Sequence, residues 1–161
     1  MSTPARPHGH RAFDSATQEA YLNLWRTYDR LRGYEEELFV KYDLTAQQYN
    51  ALRLLKAEYP ATIPTLGLAG RLVSRAPDIT RLLDHLVAQG WIVRERKPEN
   101  RRVVRVGITP AGIELLQKIH AEVRKVNERQ LGHLTPEQLK QLVELLKLAR
   151  EPHEPAESSW R

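Results

Sequence analysis

Cysteine is missing from all 161 residues, and that absence removes a disulfide framework, a thiolate zinc site and any sensor that works by thiol oxidation. No apolar run reaches the roughly 20 residues that a spanning helix needs. The opening MSTPARPHGHR lacks the apolar core of a secretory signal, so a cytoplasmic chain with no membrane partner is expected. Also lacking are an HExxH, a Gly-rich phosphate loop ahead of a helix, and a Ser in a nucleophile-elbow setting. The only cluster of carboxylates, Glu35-Glu36-Glu37, is consecutive. Neighbours on a helix diverge by about 100°, so these three predict a solvated patch and not a catalytic pair. His8-x-His10 has no carboxylate or Cys beside it, and His120 and His133 show no ligand spacing. No enzyme, cofactor or metal site is therefore expected.

What is present is positive charge, confined to one stretch. Between Arg71 and Arg105 stand nine Lys/Arg against four acids, a net +5 that equals the charge of the whole chain. The remainder is balanced. Charge concentrated in one compact segment is the footprint of a surface for a polyanion, most often nucleic acid.

Periodicity divides the chain into elements. Residues 1–12 are small, polar and Pro/Gly-broken, and are expected to be a disordered tail. From about Asp14 to Tyr42, Tyr21, Leu24, Trp25, Tyr28, Leu31, Leu38 and Phe39 recur at helical spacing, with Asp14 or Ser15 as cap. Thr45 with Gln48 forms a capping box for a second helix that ends near Glu58, ahead of Pro60. Ile63–Leu72 predicts a short helix, in which Gly67 and Gly70 are expected to permit close packing on the next one. That next helix is expected to start with Pro77 at its first position and to stop at Gly90. Its residues Ile79, Leu82, Leu83, Leu86 and Val87 make one buried face.

The opposite face carries the function. Ser74 and Arg75 precede this helix, and Asp78, Thr80, Arg81 and His85 line its outer side. A short helix, a turn and a helix with a small, hydrogen-bonding, partly basic face form a helix-turn-helix, whose second helix reads base edges in the major groove. Residues 91–96 and 102–108 then alternate or run β-branched around a turn at 97–101, which predicts a hairpin wing. Its basic tip, with Arg96, Lys97, Asn100, Arg101 and Arg102, suits a phosphate backbone or a narrow minor groove. Thr109-Pro110 and Thr135-Pro136 open two more helices, to about Leu131 and through Leu148, and 151–161 is a polar tail. The fold class is mainly α with a small β-hairpin wing: a winged helix-turn-helix lobe at 45–108, flanked by helices at 13–42 and 109–150. The outer helices carry more apolar surface than such a lobe can bury, which predicts a homodimer. Its two reading helices would face half-sites roughly 34–36 Å apart.

Leu68-Ala69-x-x-Leu72, Ile79-Thr80-Arg81-Leu82-Leu83-Asp84-x-Leu86, Gly90-Trp91-Ile92-x-Arg94, Asn100-Arg101-Arg102 and Val106-x-Ile108-Thr109-x-x-Gly112 together make the chain similar to the MarR family of transcriptional regulators. The resemblance is close over the central 45 residues, and the helix order extends it across about 14–150. It implies a homodimer on a pseudo-palindromic double-stranded operator, acting as a repressor released by a small aromatic effector. It also implies an effector pocket near the first two helices, where Tyr21, Trp25, Tyr28 and Tyr49 are the candidates. One departure stands out: Asn100 occupies the place of the family's wing Asp. Asn can hydrogen-bond but cannot ion-pair with Arg, so a less rigid wing is expected. The alternative from a different class is a winged-helix module that docks an acidic protein partner.

Overall fold

The computed structural model describes residues 13–160. The expected tail at 1–12 and His8-x-His10 lie outside them. Residues up to Gly33 form one unit and Tyr34–Arg161 a second.

The first unit is made, among its described residues, of the greater part of α1 (Ala16–Phe39). Ser15 Oγ accepts the Gln18 amide at 3.1 Å, and Gln18 Oε1 accepts the Asp14 amide at 2.8 Å, so Ser15 is the cap. Tyr21, Trp25 and Tyr28 are 63%, 60% and 62% exposed. The helix was expected to reach Tyr42 but ends at Phe39. Val40–Tyr42 tighten into a 3-10 turn, and Asp43 takes a left-handed φ of 55° that no helix can continue.

The second unit is built on α2 (Ala46–Glu58), which carries the capping box: Thr45 Oγ1 accepts from Gln48 N, and Gln48 Oε1 from Thr45 N. Two expectations for the next segment are corrected. Ile63–Pro64 is not helix but strand β1, paired antiparallel with β3 (Asn100–Ile108), with Ile63 opposite Val106. Proline has no amide to donate, which suits it to an edge strand, and β1 is at the edge because β3 has β2 (Ile92–Lys97) on its other side. Helix α3 therefore spans only Thr65–Arg71. Nor do its glycines serve packing. A Cβ at Gly70 would meet nothing within 4 Å, and one at Gly67 only Pro64 Cδ at 3.9 Å.

Helix α4 (Ile79–Ala88) starts two residues later than expected. The Asp78 carboxylate accepts the Arg81 amide at 2.9 Å, so Asp78 is itself the cap and Pro77 lies outside the helix. At the other end Gly90, with φ 75°, closes the turn: its amide reaches Val87 O at 2.9 Å, and that of Trp91 reaches Leu86 O at 3.0 Å. Strand β2 (Ile92–Lys97) is shifted by one residue from the expected span, β3 (Asn100–Ile108) starts two residues earlier than expected, and the turn shrinks to Pro98-Glu99 because Lys97 pairs with Asn100.

Helices α5 (Pro110–Leu131) and α6 (Pro136–Arg150) begin at the expected threonine caps. Leu52, Leu55, Leu68, Leu83, Leu86, Ile92, Val106 and Ile119 are fully buried, so α2, α3, α4, the sheet and α5 share one core. Where α5 meets the hairpin there is no room for a side chain. A Cβ at Gly112 would lie 2.3 Å from the Trp91 carbonyl, which accepts the Thr109 amide at 3.0 Å. The last segment is not a plain tail. After a 3-10 turn at Glu151–His153, the Trp160 indole N–H lies 3.4 Å from the Arg71 carbonyl, and Arg150 stacks over the ring at 5.6 Å.

Candidate nucleic-acid interface

The approach to α4 is held from beneath by α2. Gln47 Nε2 donates to Ser74 Oγ at 2.8 Å and to the Arg75 carbonyl at 3.0 Å, and Asn50 Oδ1 accepts the Val73 amide at 3.0 Å. These bonds fix the turn that aims α4. Neither Gln47 nor Asn50 stands out as functional in the sequence, although two amide side chains three apart on one helix share a face.

Of the expected reading residues, Thr80 and Arg81 are exposed on the first turn of α4, and the Arg75 side chain is exposed just before it. Ser74 is engaged by Gln47, and Asp78 by the cap. His85 is placed differently from expectation. It is half-buried, with Nε2 2.8 Å from the Asp43 carbonyl and 3.4 Å from the Asp43 carboxylate, and its ring meets Trp91 edge-on at 6.1 Å. A carbonyl only accepts, so this nitrogen carries the proton. Nε2 thus faces the Asp43 backbone.

The hairpin is tied to α4 by Arg94. Its guanidinium donates to Asp84 Oδ1 at 2.6 Å and to the Thr80 carbonyl at 3.1 Å, a forked grip that a lysine could not reproduce. A second tie runs through Thr62, whose hydroxyl donates to Glu95 and accepts from Arg105 Nε. Thr65, Thr80, Arg94, Glu95, Arg96 and Val104 line a cleft of about 660 Å³ between the short helix, the reading helix and the hairpin.

At the tip, Arg96 is committed within the wing: its Nη1 donates to the Arg101 carbonyl at 2.6 Å, at the register irregularity between Glu95 and Lys97. The wing thus has a brace that needs no carboxylate at Asn100. Arg101, Arg102 and Lys97 are exposed, and none of the ion pairs among the described residues uses them, or Arg75 or Arg81. Five such cations, two at the start of α4 and three at the hairpin tip, are what a phosphate-lined ligand requires.

The effector candidates divide. Tyr21 and Trp25 lie with ring centroids 6.3 Å apart, and Trp25 lines a cleft of about 620 Å³ with Phe13, Leu22, Arg26 and Asp29. Tyr28 is exposed on the same helix. Tyr49 instead stacks on Phe39 at 4.6 Å, as part of the core wall. The Glu35–Glu37 patch also differs from expectation. Glu35 is half-buried, and burial lifts its carboxyl above the ordinary value, against a hydrogen bond with Gln130 and with the Glu36 charge adding to the lift. Among the described residues no His/Cys/Asp/Glu group of three could hold a metal ion, and no helix is long and apolar enough to cross a membrane.

Comparison with known proteins agrees with this geometry. Residues 44–104 match the family model described as MarR family. A MarR transcription factor of known crystal structure from Planctomyces limnophilus is 55% identical, over 85% of this chain and 99% of that one, with a TM-score of 0.68. The HTH-type transcriptional regulator YpoP of Bacillus subtilis is 30% identical over 122 residues, 76% of this chain and 84% of YpoP. Sco3205, a MarR family regulator from Streptomyces coelicolor solved in complex with DNA, has the same fold, with a TM-score of 0.79 at 21% identity over 94% of this chain and 96% of that one.

Proposed function

The chain belongs to the MarR family of DNA-binding transcriptional regulators, and from that premise we propose that it binds a pseudo-palindromic operator as a homodimer, with α4 in the major groove and the wing along the backbone. Residues 45–108 are the DNA-binding lobe, and 13–42 and 109–150 supply dimerisation. The observation that carries the reading is the exposed Thr80–Arg81 start of α4, with Arg75 just before it and Lys97, Arg101 and Arg102 exposed at the hairpin tip, all outside the ion pairs of the described residues. Thr80 and Arg81 contact base edges, while Arg75, Arg101 and Arg102 contact phosphates. Arg96 and Asn100 shape the wing.

A second copy would cover the exposed apolar side chains of α1 (Tyr21, Leu24, Trp25, Tyr28) and of α6 (Val143, Leu145, Leu148). Repression, relieved by a small aromatic effector that enters the Trp25 cleft beside Tyr21, completes the reading. No enzymatic step is part of it, and the cell interior is its place of action.

The test is binding to the DNA upstream of its own gene against scrambled DNA, titrated with salt. If Arg75, Arg81, Arg101 and Arg102 of both subunits each neutralise one phosphate, log K falls against log[salt] with a slope of about −7. A slope near zero would remove the contact set, and equal affinity for both DNAs would remove the operator. Arg102→Ala is expected to weaken every duplex alike, whereas Thr80→Ala and Arg81→Ala relax preference at particular base pairs.

A further inference from the structure

Val40–Asp43, four of the six residues between α1 and α2, are gripped from two sides. On one side lies α5. The Tyr42 hydroxyl donates to Glu122 Oε1, Lys41 Nζ lies 3.9 Å from Glu122 Oε2, and Lys118 sits 5.7 Å from the Tyr42 ring centre. On the other side lies α4. The Asp43 carbonyl holds His85 Nε2 at 2.8 Å, and its carboxylate accepts from Gln89 Nε2 at 3.1 Å. His85 and Gln89 are one helical turn apart, so both bonds fall on one edge of α4.

The piece between these grips is short and stiff. Asp43 is held in the left-handed region at φ 55°, its amide bonds Val40 O at 3.2 Å, and the Leu44 amide bonds Phe39 O at 3.0 Å. Leu38, Phe39 and Leu44 on either side are buried. A braced turn of this kind transmits displacement and does not absorb it. Because adjacent residues bond α5 and α4, a shift of α5 is delivered to the far end of the helix whose start carries Thr80 and Arg81.

We propose that Val40–Asp43 is a relay between α5 and α4, and that His85 is a positioning residue that sets the pose of α4 through the Asp43 carbonyl and reads no base itself. The proposal rests on α4 being the helix that enters the groove. The geometry also suggests the conservative replacement. Gln places a side-chain N–H where the imidazole Nε2–H stands, so His85→Gln keeps the bond to Asp43, while His85→Leu removes it.

The experiment uses the full chain and a pool of duplexes with 20 randomised base pairs. Wild type is selected first, and the preferred duplex is then used to measure Kd for Tyr42→Phe, His85→Gln, His85→Leu and the Tyr42→Phe/His85→Leu double variant. Expected for His85→Leu is a loss of about tenfold, with His85→Gln within about threefold of wild type. The base preferences selected by His85→Gln should match wild type at every position. In the double variant the loss should fall short of the product of the single losses by at least about threefold, since either break alone uncouples α4 from α5.

Losses that multiply to within twofold would overturn the relay. A preference altered at one base pair by His85→Gln, or no loss with His85→Leu, would overturn the positioning role. Should His85→Leu not unfold cooperatively, Tyr42→Phe with His85→Gln and Asp43→Asn decide. Under the proposal Asp43→Asn, which keeps the carbonyl, binds like wild type, and a tenfold loss there would assign the bond to the carboxylate. Failure of wild type to enrich any sequence would remove the reading of α4 itself, an outcome distinct from enrichment with indifferent variants.

Discussion

Glycine at two places in this chain makes opposite demands. At Gly112 a methyl group would lie 2.3 Å from the Trp91 carbonyl and 2.7 Å from Ile108 Cγ1, a clash with backbone that cannot be relieved by a rotamer change. Gly112→Ala is expected to lower stability by about 1–3 kcal/mol, read as the denaturant midpoint. At Gly70 the space is open and the backbone helical, so Gly70→Ala should raise stability by roughly 0.8–1.0 kcal/mol through helix propensity. Opposite signs from one substitution type test the packing directly. Gly112 was visible in the sequence as part of the family-like run, but its reason was not, because Trp91 lies 21 positions away. The outward placement of Thr80 and Arg81 was legible because outward positions follow from the leucine period. His85 was not, since its partner Asp43 belongs to a turn that only tertiary contacts fix.

At the scale of elements, caps governed what could be anticipated. Ser15, Thr45, Thr109 and Thr135 all start helices where the sequence places them, because capping is a local contest between a side-chain oxygen and a few backbone amides. The misplaced start of α4 follows the same rule, with Asp78 taking the cap and displacing Pro77 from the helix. Asp78→Ala should cost about 1 kcal/mol in global unfolding. Asp78→Asn keeps an accepting oxygen and removes an anion beside the proposed phosphate track, so it should leave the unfolding midpoint nearly unchanged and tighten DNA binding severalfold. Weaker binding by Asn would show that the carboxylate itself contacts the DNA. Strand β1 escaped notice because two residues carry no period, and it exists only where β3 offers a partner.

For the whole molecule, the half-buried carboxyl of Glu35 makes stability depend on pH. Its folded value lies above the ordinary 4.5, so the folded chain keeps this proton to higher pH than the unfolded chain does. Its contribution is therefore fully present below about pH 4.5 and is lost as pH rises through the raised value. Glu35→Gln should abolish that decline and raise the unfolding midpoint at pH 7. An unchanged pH profile would mean that Glu35 is solvated in the folded state. Because Glu35 contacts Gln130 of α5, this proton acts on the same helix to which Tyr42 ties the α1–α2 turn.

The sequence by itself determined the helix order, the capped starts at Ser15, Thr45, Thr109 and Thr135, the hairpin, the confinement of net charge to Arg71–Arg105 and the outward display of Thr80 and Arg81. All of these follow from interactions within a few residues or from a period of 3.6 or 2. Tertiary structure decided which of the basic and polar side chains remain available. Arg94 is spent on Asp84, Arg96 on the Arg101 carbonyl, Ser74 on Gln47 and His85 on Asp43. A side chain's partner in a folded chain depends on which distant backbone passes within about 3 Å of it, and no local pattern encodes that distance.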